Sequence, residues 1–258
     1  ARRPGQAAPL LEAGASFSTT LADVASQSDV VITMVTTTSD VEEVLLGADG
    51  VLAGAKPGLT AIDMSTIAPQ ATARIAEALA ARQVRMLDAP VTGGPAGAQA
   101  ATLTIMVGGD ASVLDEMRPV LDRLGRQVVH MGGHGAGQIA KACNQLALLV
   151  NAEGVAEALA LGARCGLDPH TLRQALLGGI AASRLLDVFG ERMAQRRFTP
   201  GMATRLYDKD LDIVLDLARE AGQQLPAAIV VRKHLDELVR RGDADNDLAA
   251  LIRIVAEE

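Results

Sequence analysis

The sequence predicts a two-part fold, a mostly parallel α/β sheet over the first half and an all-helical second half. Three observations carry this. Strand-like runs such as residues 29–35 are apolar without polar alternation, the pattern of parallel strands covered on both faces. These runs alternate with segments of helical length as far as residue 131. From Gly135 onward no convincing strand pattern occurs.

Taken in order, Pro4 leads into a helix ending near Ala13, and Thr20 caps a short helix. Residues 29–35 are the first strand, and the turn 36–39 opens a helix at 41–46. Residues 58–64 form the next strand. Ser65 to Pro69 turn into a helix over 70–82, with Pro69 at a helix start where its missing N–H costs little. Strands follow at 84–88 and 102–107. Asp110 caps a helix reaching Leu124, and residues 127–131 close the sheet. A helix from Gln138 to about Ala163 spans about 39 Å, long enough to leave the sheet and become the spine of a second domain. Further helices are expected at 169–177, started by Asp168-Pro169, and at 182–193, 208–221, 226–241 and 245–255, with Gly178-Gly179 breaking the first from the second. The expected domains are 1–133 and 134–258.

With no Trp, one Tyr and three Phe among 258 residues, a core must be aliphatic, and a 49% hydrophobic content supplies one. The net charge of −7 argues against nucleic acid or an anionic membrane as partner. Cys143 and Cys165 form no CxxC and no metal set with the four histidines; both read as buried small residues of a reducing compartment. No apolar run reaches spanning length and no signal-peptide pattern opens the chain, so a soluble cytoplasmic protein is expected.

In open α/β sheets ligands bind where strands end at their carboxyl edge. Three loops qualify, at 35–39, 65–69 and 89–97. In the last, Thr92 precedes Gly93 and Gly94, whose backbone N–H groups can cradle an oxyanion such as a carboxylate or phosphate. Lys141, Asn144 and Gln145 share one face of the long helix, since positions i, i+3 and i+4 are neighbours. Only four of the 24 basic residues are lysines (Lys56, Lys141, Lys209 and Lys233), so a lysine amid Ile, Ala, Cys and Leu stands out. An ammonium can give up its proton near neutral pH where a guanidinium cannot. Lys209, between Asp208 and Asp210, is the second unusual lysine.

Asp88-Ala-Pro-Val-Thr-Gly-Gly94 with Ala101-Thr-Leu103, then Gly135-x-Gly-x-x-x-Lys141-x-x-Asn144, then Lys209-Asp-Leu211, resemble in order and spacing the motifs of the β-hydroxyacid dehydrogenase family. Residues 62–69, Ile-Asp-Met-Ser-Thr-Ile-Ala-Pro, resemble its nicotinamide-side segment. The resemblance covers the whole chain. It implies a Rossmann-like N-terminal domain and an all-helical C-terminal domain joined by a long interdomain helix. It also implies NAD(P)H-dependent reduction of a small 2-hydroxy-3-oxo acid, as of tartronate semialdehyde to glycerate, or the reverse oxidation of a β-hydroxyacid. Asn144-Gln145 favours that branch over hydroxyisobutyrate dehydrogenases, which carry Asn-Asn. Hydroxyisobutyrate or glyoxylate-type reduction and an inactive binding or oligomerisation module are the alternatives.

By the same resemblance Lys141 is the proton donor, and Asn144 hydrogen-bonds substrate or holds Lys141 in place, with Gln145 the alternate for that role. Thr92, Gly93, Gly94 and Gln145 hold substrate. Met34, Val35, Thr36, Thr66 and Lys209 hold cofactor. Arg2 and Arg3 lie where the adenosine ribose is read and point to NADP rather than NAD. A homodimer or homotetramer is implied. Two departures stand out: Thr92 replaces the usual Ser, and the family's opening strand and Gly-x-Gly-x-x-Gly turn have no counterpart in the sequence. The expectation is therefore a sheet without that strand and turn, about 30 residues, one such unit, lying upstream.

Overall fold

A computed structural model of the chain describes residues 4–199 and 201–257. The first part is a six-stranded sheet: β1 (Val30–Thr33), β2 (Thr60–Asp63), β3 (Arg85–Asp88), β4 (Val91–Thr92), β5 (Leu103–Gly109) and β6 (Gly125–Gly132). Its helices are α1 (Ala8–Glu12), α2 (Leu21–Ser26), α3 (Thr38–Leu46), α4 (Val51–Gly54), α5 (Pro69–Ala80), α6 (Gly94–Gln99) and α7 (Ala111–Leu121). The second part is helical: α8 (Ala136–Arg164), α9 (Pro169–Leu177), α10 (Arg184–Ala194), α11 (Thr204–Glu220), α12 (Pro226–Arg240) and α13 (Leu251–Val255). A Rossmann-like α/β part followed by an all-helical part is thus the observed fold.

The sheet is mixed. β1, β2 and β3 are parallel, whereas β5 runs antiparallel to β3, and β6 is parallel to β5. The two-residue β4 lies along the same flank of β5 as β3, pairing Val91 with Ile105 and Thr92 with Thr104. This corrects the mostly parallel expectation for the half beyond β3. The physical reason is the short return after Thr92: Gly93 and Gly94 have φ of +131° and +63°, so the chain turns into α6 and comes back antiparallel without a crossover helix.

The cores are aliphatic, as composition requires. Val31, Val41, Leu45, Ile67, Ile75 and Leu79 fill one side of the sheet, and Ile62, Leu87, Ile105, Val107, Leu114 and Leu121 the other. Each such side chain contributes about 1.5–3 kcal/mol when fully buried. Local capping agrees with the sequence: Thr20, Asp110 and Asp168 side chains accept backbone N–H bonds at the starts of α2, α7 and α9.

α8 is the spine. It touches β3, β5 and β6 at its start, then packs against α9 to α13. Two expectations fail on it. By length and composition it is apolar enough to cross a bilayer, contrary to the reading that no segment is; here the helices around it cover one side. Cys143 and Cys165 are exposed, not buried. The sequence around Cys143 is apolar on nearly every helical face, so its neighbours do not reveal which face is covered. Cys165 stands at the C-cap of the helix, outside the packed stretch.

Candidate functional site

The site forms where the carboxyl ends of β1 to β3 meet the first three turns of α8. Asp88, the last residue of β3, is fully buried and anchors that meeting. Its Oδ1 accepts from the Gly135 N–H at 2.9 Å and its Oδ2 from the Gln138 N–H at 3.1 Å. A carboxylate from the sheet thus caps the long helix, satisfying N–H groups that helix geometry leaves free. Burial raises the Asp88 carboxyl pKa, and these backbone bonds oppose the rise. Gly137 permits the close approach: a Cβ there would lie 2.5 Å from the Met106 carbonyl oxygen and 2.7 Å from that of Asp88.

Gln138 ties the next loop to the same helix. Its Nε2 donates to the Ser65 carbonyl at 2.8 Å, and its Oε1 accepts from the Ile67 N–H at 3.1 Å. The loop so held carries Thr66, whose carbonyl accepts from Lys209 Nζ at 2.6 Å. Lys209 belongs to α11, so this bond joins the helical part to the sheet.

One turn along α8, Lys141 is 7% exposed and donates to Gln145 Oε1 at 2.9 Å. The same oxygen accepts from Asn144 Nδ2 at 2.9 Å. Gln145 Nε2 in turn donates to Asp210 Oδ2 at 2.6 Å, while Asp210 Oδ1 pairs with Lys209 Nζ at 2.9 Å. Gln145, rather than Asn144, therefore holds Lys141. Burial lowers the Lys141 pKa to about 8; the Asp210 carboxylate pulls it up and the Lys209 ammonium pushes it down. Two ammoniums against one carboxylate leave this cluster positive, which suits an anionic ligand or a developing alkoxide. The flanking-acid reading of Lys209 is sharpened too: Asp210 is its partner, and Asp208 pairs with Arg232 of α12.

Asp210 is the residue that sequence reasoning missed. It stood inside the Lys209-Asp-Leu motif, but only tertiary structure links it through Gln145 to a lysine 69 positions earlier in the chain.

Thr92, Gly93 and Gly94 lie at the β4–α6 junction, with β4 in contact with α8. Thr92 is half-buried, and both glycines are exposed. A Cβ on Gly93 would stand 3.2 Å from Leu103 Cδ2 at a φ of +131° that other residues rarely adopt. No hydrogen bond connects this loop to the Lys141 cluster among the described residues.

At the end of β1, Met34 and Thr36 are exposed and Val35 is half-buried. The Val35 N–H donates to Ser65 Oγ at 2.9 Å, which fixes this loop against that of Thr66. These groups stand at the carboxyl edge of parallel strands, where open α/β sheets bind their ligands. Arg2 and Arg3, expected to read the ribose end, lie outside the described residues. Among the described residues no group of three or more His, Cys, Asp or Glu side chains could hold a metal.

Comparison with known proteins bears on this geometry. Residues 1–133 match the family described as the NAD binding domain of 6-phosphogluconate dehydrogenase. Residues 135–255 match that described as NAD-binding of NADP-dependent 3-hydroxyisobutyrate dehydrogenase. The chain is 40% identical to 2-hydroxy-3-oxopropionate reductase of Escherichia coli (strain K12), over 95% of this chain and 84% of that one. It is 39% identical to 3-hydroxyisobutyrate dehydrogenase of Pseudomonas aeruginosa, over 92% and 82%. The crystal structure of 3-hydroxyisobutyrate dehydrogenase from Salmonella typhimurium superposes with a TM-score of 0.90 at 30% identity, covering 98% of this chain and 88% of that one.

Proposed function

The chain belongs to the NAD(P)-dependent β-hydroxyacid dehydrogenase family, and from that premise we propose that it reduces a small 2-hydroxy-3-oxo acid, tartronate semialdehyde to glycerate, or runs the reverse oxidation. The observation that carries the reading is the buried Lys141, held by Gln145 with its pKa lowered to about 8. A group titrating near the working pH can both give and take a proton.

Bound nicotinamide dinucleotide supplies the two-electron reducing equivalent. The protein does the rest. Thr92, Gly93 and Gly94 receive the substrate carboxylate, the glycines through exposed backbone N–H groups. Lys141 Nζ faces the substrate carbonyl oxygen, stabilises the negative charge that develops there and delivers its proton. Gln145 and Asp210 keep the ammonium aimed and partly charged, and Asn144 shares the Gln145 oxygen so that its amide stays oriented toward substrate. Met34, Val35, Thr36 and Thr66 line the cofactor side. Lys209, bonded to Thr66, closes the helical part over it. In this division residues 1–133 bind the dinucleotide, and residues 134–258 supply the proton donor and the contacts of a homodimer or homotetramer. NADPH is the proposed cofactor, on the two arginines Arg2 and Arg3.

The 39% identity to a 3-hydroxyisobutyrate dehydrogenase supports a second substrate, 3-hydroxyisobutyrate. Steady-state kinetics on tartronate semialdehyde, 3-hydroxyisobutyrate, glyoxylate and L-serine with each dinucleotide tests the reading. The highest kcat/KM on tartronate semialdehyde with NADPH is expected. A highest value on 3-hydroxyisobutyrate transfers the assignment, and no turnover of any of these acids defeats it.

A further inference from the structure

Thr33, Asp63 and Asp88 end three adjacent parallel strands in register, Thr33 opposite Asp63 and Asp63 opposite Asp88. All three are buried. Neighbouring strands lie about 4.8 Å apart, and residues in register on parallel strands project to the same face. Two carboxyl groups so placed resist ionising together.

Their surroundings differ. Asp88 receives a backbone N–H on each oxygen, at the start of a helix where negative charge is favoured. Asp63 gathers every donor on one oxygen: its Oδ1 accepts from Thr33 Oγ1 at 2.8 Å, Ser65 Oγ at 2.7 Å and the Ser65 N–H at 3.3 Å. Its Oδ2 is buried and has no hydrogen-bond partner. A bare anionic oxygen without donors is far costlier than a neutral hydroxyl in the same place. Burial raises the Asp63 carboxyl pKa, and the negative Asp88 adds to the rise.

Ser65 passes this anchoring outward. Its Oγ accepts from the Val35 N–H, and its carbonyl accepts from Gln138 Nε2. Asp63 therefore stands behind both loops, that of Met34 to Thr36 and that of Ser65 to Thr66.

We propose that Asp63 is held as the neutral acid, with Asp88 the ionised member of the pair, and that Asp63 is the positioning residue setting the spacing of the two loops on the cofactor side. The statement about cofactor rests on the dinucleotide-binding reading above; the statement about loop spacing does not.

Asp63→Asn copies the neutral acid in shape and charge, and Asp63→Ala removes it. The measurements are NADPH dissociation by nicotinamide fluorescence and hydrogen exchange at the Val35 amide. Asp63→Asn is expected to stay within about twofold of the parent in both. Asp63→Ala is expected to raise the NADPH Kd about tenfold, the size of one lost hydrogen bond, and to speed Val35 exchange. KM for the acid substrate stays unchanged in both. Infrared difference spectra of the parent should carry a protonated-carboxyl band that Asp63→Asn lacks. An Asp63→Asn protein as impaired as Asp63→Ala overturns the neutral form. An Asp63→Ala protein with parental Kd and exchange overturns the positioning role. If Asp63→Ala fails to fold, Asp63→Leu, which keeps the volume, removes the acceptor and leaves the Ser65 hydroxyl in place, carries the Val35 exchange test with the same two outcomes. Failure of the parent to bind any dinucleotide defeats the functional reading alone, because Val35 exchange still decides the loop claim.

Discussion

The two flanks of the candidate site are built by different means. Around Lys141, side chains from α8 and α11 are joined one to the next, through Gln145 and Asp210 to Lys209 and on to the Thr66 carbonyl. Around Gly93 and Gly94, backbone dihedrals shape an exposed turn. The difference follows from the tasks proposed for them. A lysine titrating near neutral pH needs burial and a charge environment held at fixed distance, which only tertiary structure provides. A cradle for a carboxylate needs outward N–H groups and room for backbone approach, which two glycines provide locally. Damage to the first flank should therefore appear in turnover and pH dependence, and damage to the second in substrate affinity.

Four substitutions break or sharpen that contrast. The largest effect is expected from Lys141→Arg, which keeps the charge but holds its proton too tightly to release it. Turnover at pH 7 should fall about 10²-fold or more, the scale of a lost general acid, while NADPH affinity and thermal stability survive. Stopped-flow single turnovers with a parallel melting curve check this. Gly93→Val should act on the other flank. It places a side chain 3.2 Å from Leu103 at positive φ, strain on the order of 1–3 kcal/mol, so KM for the acid should rise about tenfold with kcat nearly kept. Equal losses in both constants would erase the distinction between the flanks.

Asp210→Asn returns to the first flank. The Asp210 carboxylate raises the Lys141 pKa, so its loss should move the kinetic limb from about 8 to lower pH, with several-fold lower turnover above that limb. A pH profile of kcat over the neutral to alkaline range reads the shift. The smallest effect is on stability. The folded-state pKa of Asp63 is raised above its ordinary value of 3.8, so native Asp63 contributes full stability at low pH and loses it as pH climbs through the folded value. Asp63→Asn does not titrate. It should therefore melt above the parent at neutral and alkaline pH, and the gain should vanish at acid pH, where Asp63 is protonated in both the folded and the unfolded chain. Calorimetry across that range measures it.

The contrast also marks what was legible in the sequence. Lys141 and Gln145 could be placed together because helical spacing alone puts i and i+4 side by side, and the caps at Thr20, Asp110 and Asp168 could be read from local chemistry. The alternation of apolar runs located β1, β2, β3, β5 and β6. Asp210 could not be tied to Lys141, since nothing local relates α11 to α8. The Asp63–Asp88 pair depends on strand register, which a chain without a paired partner does not display. β4 has only two residues, too few for any period, and the sheet's reversal after β3 went unseen with it. The exposure of Cys143 was hidden because α8 is apolar on nearly all sides, so its pattern does not tell a covered face from an open one.

The most direct test of the account is the pH dependence of turnover in both directions, measured with the parent and with Lys141→Arg. Reduction needs the ammonium and oxidation needs the free amine. In the parent, reduction should therefore fall and oxidation rise through one titration near pH 8, the value to which burial lowers Lys141. In Lys141→Arg both limbs should be gone. Parental profiles that are flat through pH 8, or limbs that persist unchanged in Lys141→Arg, would contradict the assignment of Lys141 as the proton donor.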